Sequence, residues 1–165
     1  MPLKKKSRPS KLGIPTSKRL KAKIDLALGW MPEPPRFMVP SFALGTDGPY
    51  LESVFIISRS LICEVLAAPE ADHSFDFCDL STISSYRVQL STHKVAVSEE
   101  KSIEYEIGKV TLLHNLSPEL NSTLNYAGDS RERWLELVKA ALPVTLVLES
   151  LSVESAPSTP ASSNQ

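Results

Sequence analysis

No stretch of this chain approaches the roughly 20 continuous apolar residues that a bilayer-spanning helix needs, and no apolar secretory leader opens it. The expectation is a soluble protein of the cell interior, cytoplasmic, membrane-peripheral or nuclear. Cysteine is scarce: Cys63 and Cys78 both fall in strand-like apolar segments. They are expected as reduced buried thiols and could meet only if those strands were neighbours. His73, His93 and His114 have no cysteine or carboxylate at metal-ligand spacing. The motifs G-x-S-x-G, G-x-x-x-x-G-K and H-E-x-x-H are absent, and with them the recognisable hydrolase, nucleotide-binding and zinc-protease chemistries. No enzyme activity, cofactor or metal is expected.

Negative charge is missing from the start of the chain, where no acid precedes Asp25. Lys4, Lys5, Lys6, Arg8, Lys11, Lys18, Arg19, Lys21 and Lys23 supply nine of the 18 basic residues. The rest of the chain holds nine bases against 19 acids, a formal charge of −10. A basic arm is thus joined to an acidic body, and the arm is free to serve an anionic partner or to contact the body itself. With 165 residues and 42% hydrophobic content, the chain can bury one core and has little length for a second.

Residues 1–23 carry few large apolar side chains, so they read as a disordered arm. Ile24, Leu26, Ala27, Leu28, Trp30 and Met31 precede Pro32, Pro34 and Pro35. Residues 24–36 are expected as a proline-containing linker with at most one helical turn.

From residue 37 the texture is β-like. Residues 37–44 read as an edge or bent strand because of Pro40. Leu51, Val54, Phe55, Ile56 and Ile57 make a buried strand, Ser58-Arg59-Ser60 a tight turn, and Leu61, Ile62, Val65 and Leu66 the returning strand. A loop over residues 67–72 follows. Phe75 and Phe77, then Tyr86, Val88 and Leu90, and then Ile103, Tyr105 and Ile107 alternate with polar residues, which marks half-exposed strands. Residues 98–101 and 115–118 read as turns, and Gly108 as a bend or bulge before Val110.

Leu124, Asn125 and Tyr126 lead through Ala127-Gly128-Asp129-Ser130 into an amphipathic helix over about residues 130–142. Trp134, Val138, Ala141 and Leu142 share its apolar face. Asp129 or Ser130 is placed to cap it, Glu132 suits its positive end, and Pro143 stops it. Phe55, Ile57, Trp134 and Val138 are expected core residues. Residues 143–165 form a C-terminal tail, disordered from about residue 155.

With about seven short strands and one helix, the chain reads as mainly β: an antiparallel barrel capped by a C-terminal helix. Residues 52–62 resemble the strand, tight turn and strand that open GRAM and related pleckstrin-homology-like domains. Residues 75–85, with Leu80 and Ile83 at a corner between strands, are similar to that family's next unit. Trp134 stands where many such domains place a core tryptophan. The resemblance covers about residues 37–142 and implies a non-enzymatic interaction module.

Phosphoinositide head groups are the family's commonest ligand, held by Lys and Arg between the first two strands. Here residues 45–49 contain Asp47 and no base, and Arg59 is alone on its turn. The leading expectation is therefore a protein partner, bound at exposed strand edges or in the groove beside the terminal helix. Peripheral binding to an anionic or phosphoinositide membrane is the alternative, with about 1 kcal/mol per basic residue near the surface. Nucleic-acid association through the arm is a weaker one, since no aromatic residue is interleaved among positions 1–23 for stacking.

Overall fold

The computed structural model describes residues 17–68, 75–115 and 121–142. Its core is mainly β, made of two antiparallel sheets. The first contains β1 (Phe37–Gly45), β2 (Gly48–Ile57), β3 (Leu61–Leu66) and β4 (Phe77–Asp79), paired in chain order. The second contains β5 (Ile83–Ala96), β6 (Ser102–His114) and β7 (Ser122–Gly128), also in chain order. The strands do not close into a continuous barrel. Each sheet keeps its own ladder, and the two meet along β1 and β7, where the Asn125 N–H donates to Ser41 Oγ at 2.8 Å.

Helix α2 (Arg131–Ala141) covers the mouth between the sheets, at the place the Trp134 stripe predicts. Trp134, Val138, Ala141 and Leu142 pack with Val39, Phe55, Ile57, Val110, Leu112 and Leu124 in one buried cluster. The expected side-chain cap is not made by Ser130. Its backbone N–H instead donates to the Tyr126 hydroxyl at 2.6 Å. Gly108 likewise makes no bend, because β6 runs through it with Leu90 opposite on one side and Tyr126 on the other. Its role is clearance: a Cβ there would lie 3.1 Å from Trp134 Cζ3.

A second helix stands where a disordered arm and a linker with at most one helical turn were expected. Helix α1 (Lys18–Trp30) occupies much of the expected arm and linker. Ser17 Oγ caps it by accepting from the Leu20 N–H at 3.1 Å. Leu20, Ile24 and Ala27, at the spacing of one helix face, bury against Val54, Ile56, Cys63 and Val65. These are the outward-facing residues of β2 and β3, so the first sheet is covered on both sides.

Lys23 stands on this buried face at 3% exposure, and its Nζ donates to the Leu66 and Ala68 carbonyls at 3.2 and 2.6 Å. A lysine that ends in carbonyl hydrogen bonds can bury its whole stem. The chain then leaves α1 through Pro32, and Glu33 accepts from the Ser60 N–H at 3.2 Å and from the Ser60 hydroxyl. The segment before β1 is thereby tied to the β2–β3 turn.

A short 3-10 turn over Leu80–Thr82 links the sheets. Asp79 caps it by accepting from the Ser81 N–H at 2.8 Å, while Leu80 and Ile83 enter the main core. The two thiols remain apart although β3 and β4 are neighbours. Cys63 lies opposite Phe77 and Cys78 opposite Ile62, so Cys63 joins the α1 side and Cys78 the α2 side. The C-terminal tail and the arm before Ser17 lie outside the described residues, as do parts of the expected loop at 67–72 and turn at 115–118.

Candidate functional site

β5 forms the edge of the second sheet. It pairs with β6 from Ile83 to Ala96, and among the described residues no strand pairs with its other side. Such an edge presents backbone donors and acceptors to any extended chain that approaches it. Tyr86 and Val88 supply its inward-facing residues, and Leu90 continues the strand at 49% exposure.

Helix α2 packs on β1, β6 and β7 and reaches β5 through Arg131 and at the depression beside Tyr86 and Val88. Tyr86, Val88 and Val110 from the sheet and Leu135, Val138 and Leu142 from the helix line an apolar depression of about 30 Å³, with Lys139 at its mouth. The depression is small, with room for the tip of one aliphatic side chain. The helix that forms its wall is fixed at several points. Trp134 Nε1 donates to the Pro40 carbonyl at 2.8 Å, and the Trp134 ring packs on Tyr126 with centroids 5.5 Å apart. Arg131 Nη1 donates to the carbonyls of Ser91 at 2.8 Å and Ile107 at 3.1 Å. Its Nε lies 3.7 Å from Glu106. Arg131 thus holds the first turn of α2 to both β5 and β6, a role that nothing in its sequence spacing announces.

The basic residues singled out from the sequence do not converge. Lys4, Lys5, Lys6, Arg8 and Lys11 lie outside the described residues, and with them most of the nucleic-acid reading. Lys18, Arg19 and Lys21 are exposed on α1, but Lys23 is buried and engaged, which removes it as an anion ligand. Arg59 is exposed at the tip of the β2–β3 turn. Because Lys23 meets the far end of β3, the α1 cations and Arg59 belong to opposite ends of that strand. The β1–β2 hairpin turns at Gly48, whose φ of +110° suits glycine, and it presents Asp47 and no cation.

Among the described residues, no group of three or more His, Cys, Asp and Glu is placed to hold a metal ion. Burial pushes the Cys63 thiol up to about 11 and also raises Cys78, the opposite of the shift that activates a cysteine nucleophile. His114 is buried, with Nδ1 2.8 Å from Thr82 Oγ1, and helps join the 3-10 turn to the end of β6. No helix among the described residues is long and apolar enough to cross a membrane. No protein-family model, curated protein or solved structure matches this chain.

Proposed function

We propose that this chain is a non-enzymatic, pleckstrin-homology-like interaction module that takes an extended segment of a protein partner along β5 beside α2. The observation that carries the reading is the conjunction of a strand edge with which no other described strand pairs and an apolar helix-walled groove. The edge supplies hydrogen bonds that any backbone can satisfy, and the groove supplies a pocket for one aliphatic anchor. The order of a four-stranded sheet, a three-stranded sheet and a plugging C-terminal helix supports the pleckstrin-homology-like assignment. The absence of any cation on the β1–β2 hairpin favours a protein ligand over a phosphoinositide there.

Selection of displayed peptides against the full-length chain tests the reading. Binders should share an aliphatic anchor, and Leu135→Glu should weaken them by tenfold or more, since burying one such side chain stabilises by about 1.5–3 kcal/mol. Selected peptides that bind Leu135→Glu unchanged would refute the site.

A second reading, peripheral contact with an anionic membrane, is favoured by one observation. Trp30 is 73% exposed and Leu26 is also exposed on α1, the helix that carries Lys18 and Arg19. A helix with exposed apolar and cationic residues suits a lipid interface. Trp30→Ala should reduce sedimentation with phosphatidylserine vesicles if this face meets lipid, and equal binding would exclude it.

A further inference from the structure

A second concavity, at the start of α2 where the first one lies beside its last turns, opens where the β1–β2 hairpin meets β6 and β7. It holds about 680 Å³. Phe42, Tyr50, Tyr105 and Tyr126 supply aromatic walls, and Glu104 and Asp129 stand among its lining residues. Tyr50 is 53% exposed, so one ring face is open to solvent. The hairpin rests on Tyr105, because a Cβ on Gly48 would lie 3.3 Å from the Tyr105 hydroxyl.

Its two acids are Glu104 and Asp129. Asp129 Oδ1 accepts from the Ser130 hydroxyl at 3.2 Å, and Lys94 lies opposite Glu104 in the β5–β6 register. Among the described residues, neither Glu104 nor Asp129 forms an ion pair within 4.0 Å. Asp129 also borders a depression shared with Arg131 and Arg133, yet both carboxylates keep free oxygen positions. Aromatic rings beside carboxylates without a close ion pair are the chemistry that receives a lysine or arginine head, through cation–π attraction and charge-assisted hydrogen bonds.

We infer that this cleft binds a lysine- and arginine-rich peptide segment, and that the segment it takes is the chain's own residues 4–11, bound in cis. Charge is the first argument. Lys4, Lys5, Lys6, Arg8 and Lys11 fall within eight residues that contain no acid.

Reach is the second. The Lys23 amine on α1 meets the Leu66 and Ala68 carbonyls, and the Ala67 N–H between them donates to the Glu52 carbonyl at 2.9 Å. Glu52 is two residues from Tyr50, about 7 Å along a strand. The tether leaves α1 at Ser17, six residues or about 9 Å from Lys23 along the helix; from there the six residues to Lys11 span up to about 20 Å, and the thirteen to Lys4 up to about 45 Å. A tether of that length holds the cations at high local concentration around the cleft. The β5 site uses none of the residues that line this cleft, so the two are independent.

Zero-length carboxyl-to-amine crosslinking of the full-length chain, read by mass spectrometry, tests it. Isotopically light and heavy chains are mixed so that contacts between copies are recognised. At low salt, Lys4, Lys5, Lys6 or Lys11 should link to Glu104 or Asp129 within single chains. The yield should fall in 1 M salt, where the Debye length is about 3 Å, and should drop several-fold in Tyr50→Ala. Added peptide corresponding to residues 1–16 should compete. Links spread over all exposed acids, links unaffected by Tyr50→Ala, or links mainly between light and heavy chains would each overturn the assignment.

Discussion

The indole N–H of Trp134 donates to the Pro40 carbonyl at 2.8 Å across 94 residues of chain. Pro40 sits on β1 of the first sheet, while the ring of the same tryptophan packs on Tyr126 of the second. One side chain therefore locks α2 onto both sheets. The bulge between Ser41 and Phe42 follows at once, and there Ser41 Oγ accepts from Asn125 of β7. The meeting of the sheets thus rests on adjacent residues of one edge strand.

Two substitutions separate the packing of Trp134 from its hydrogen bond. Trp134→Ala should destabilise by about 3–5 kcal/mol, the cost of emptying a large aromatic site. Trp134→Phe keeps much of the ring but leaves the Pro40 carbonyl without its donor, a penalty of about 1–3 kcal/mol on top of the lost volume. Urea denaturation of both variants checks the order. A Trp134→Ala variant as stable as the parent would contradict this account of the core.

Gly108 is predicted to resist even a methyl group. At 3.1 Å from Trp134 Cζ3 and 3.5 Å from Tyr126 Cβ, the added carbon requires the indole, fixed by its hydrogen bond to Pro40, to give by a few tenths of an ångström. Gly108→Ala should cost about 1–3 kcal/mol, as overpacking does, and should perturb near-ultraviolet dichroism of the tryptophan. An unchanged spectrum together with unchanged stability would show that the ring has room to yield.

Lys23 is predicted to be structural. Lys23→Met retains the stem but strips the donor from the Leu66 and Ala68 carbonyls, costing about 1–3 kcal/mol. Lys21→Met, an exposed change on the same helix, should stay within about 0.5 kcal/mol of the parent. Equal effects in the two variants would argue against the buried position of Lys23.

These residues also mark what was legible beforehand. The alternation of Tyr86, Val88 and Leu90, the turn at residues 58–60 and the Trp134 stripe are periodic local signals, and the strands and helix appear where they point. Helix α1 was hidden because lysines interrupt its apolar face and composition made residues 1–23 look like an arm. A cue was present in β2: Val54, Phe55, Ile56 and Ile57 are apolar on both faces, so the sheet needs a second cover. The expectation of a site at a strand edge or beside the terminal helix came from topology alone, and it is the proposal made above for β5. Arg131, the acid-rimmed cleft and the clearance at Gly108 depend on contacts between distant segments, which no local period encodes.

The pH dependence of stability should have two identifiable limbs. The Ser60 hydroxyl, followed by that of Ser58, holds the Glu33 carboxyl below its ordinary 4.5. The folded chain then binds this proton less readily than the unfolded one. Its contribution is present above about pH 4.5 and fades as pH falls through the lower folded value, so Glu33→Gln should matter at neutral pH and cease to matter in acid. Burial of Cys63 acts in the opposite sense. Between its ordinary 9.0 and its folded value of about 11, the unfolded chain loses a proton that the folded chain keeps. Stability therefore falls as pH rises through that window, and Cys63→Ala should flatten the fall. Denaturation midpoints across pH that are parallel for parent and variants would contradict both assignments.

The central claim, that β5 and α2 together receive an extended partner, is tested most directly by amide hydrogen exchange of the full-length chain with and without a selected peptide. Binding should slow exchange on β5 from about Ser84 to Leu90, and side-chain resonances of Leu135 and Val138 should shift with it. Protection confined to the β1–β2 hairpin or to α1, with β5 exchanging as it does in the free protein, would contradict the account.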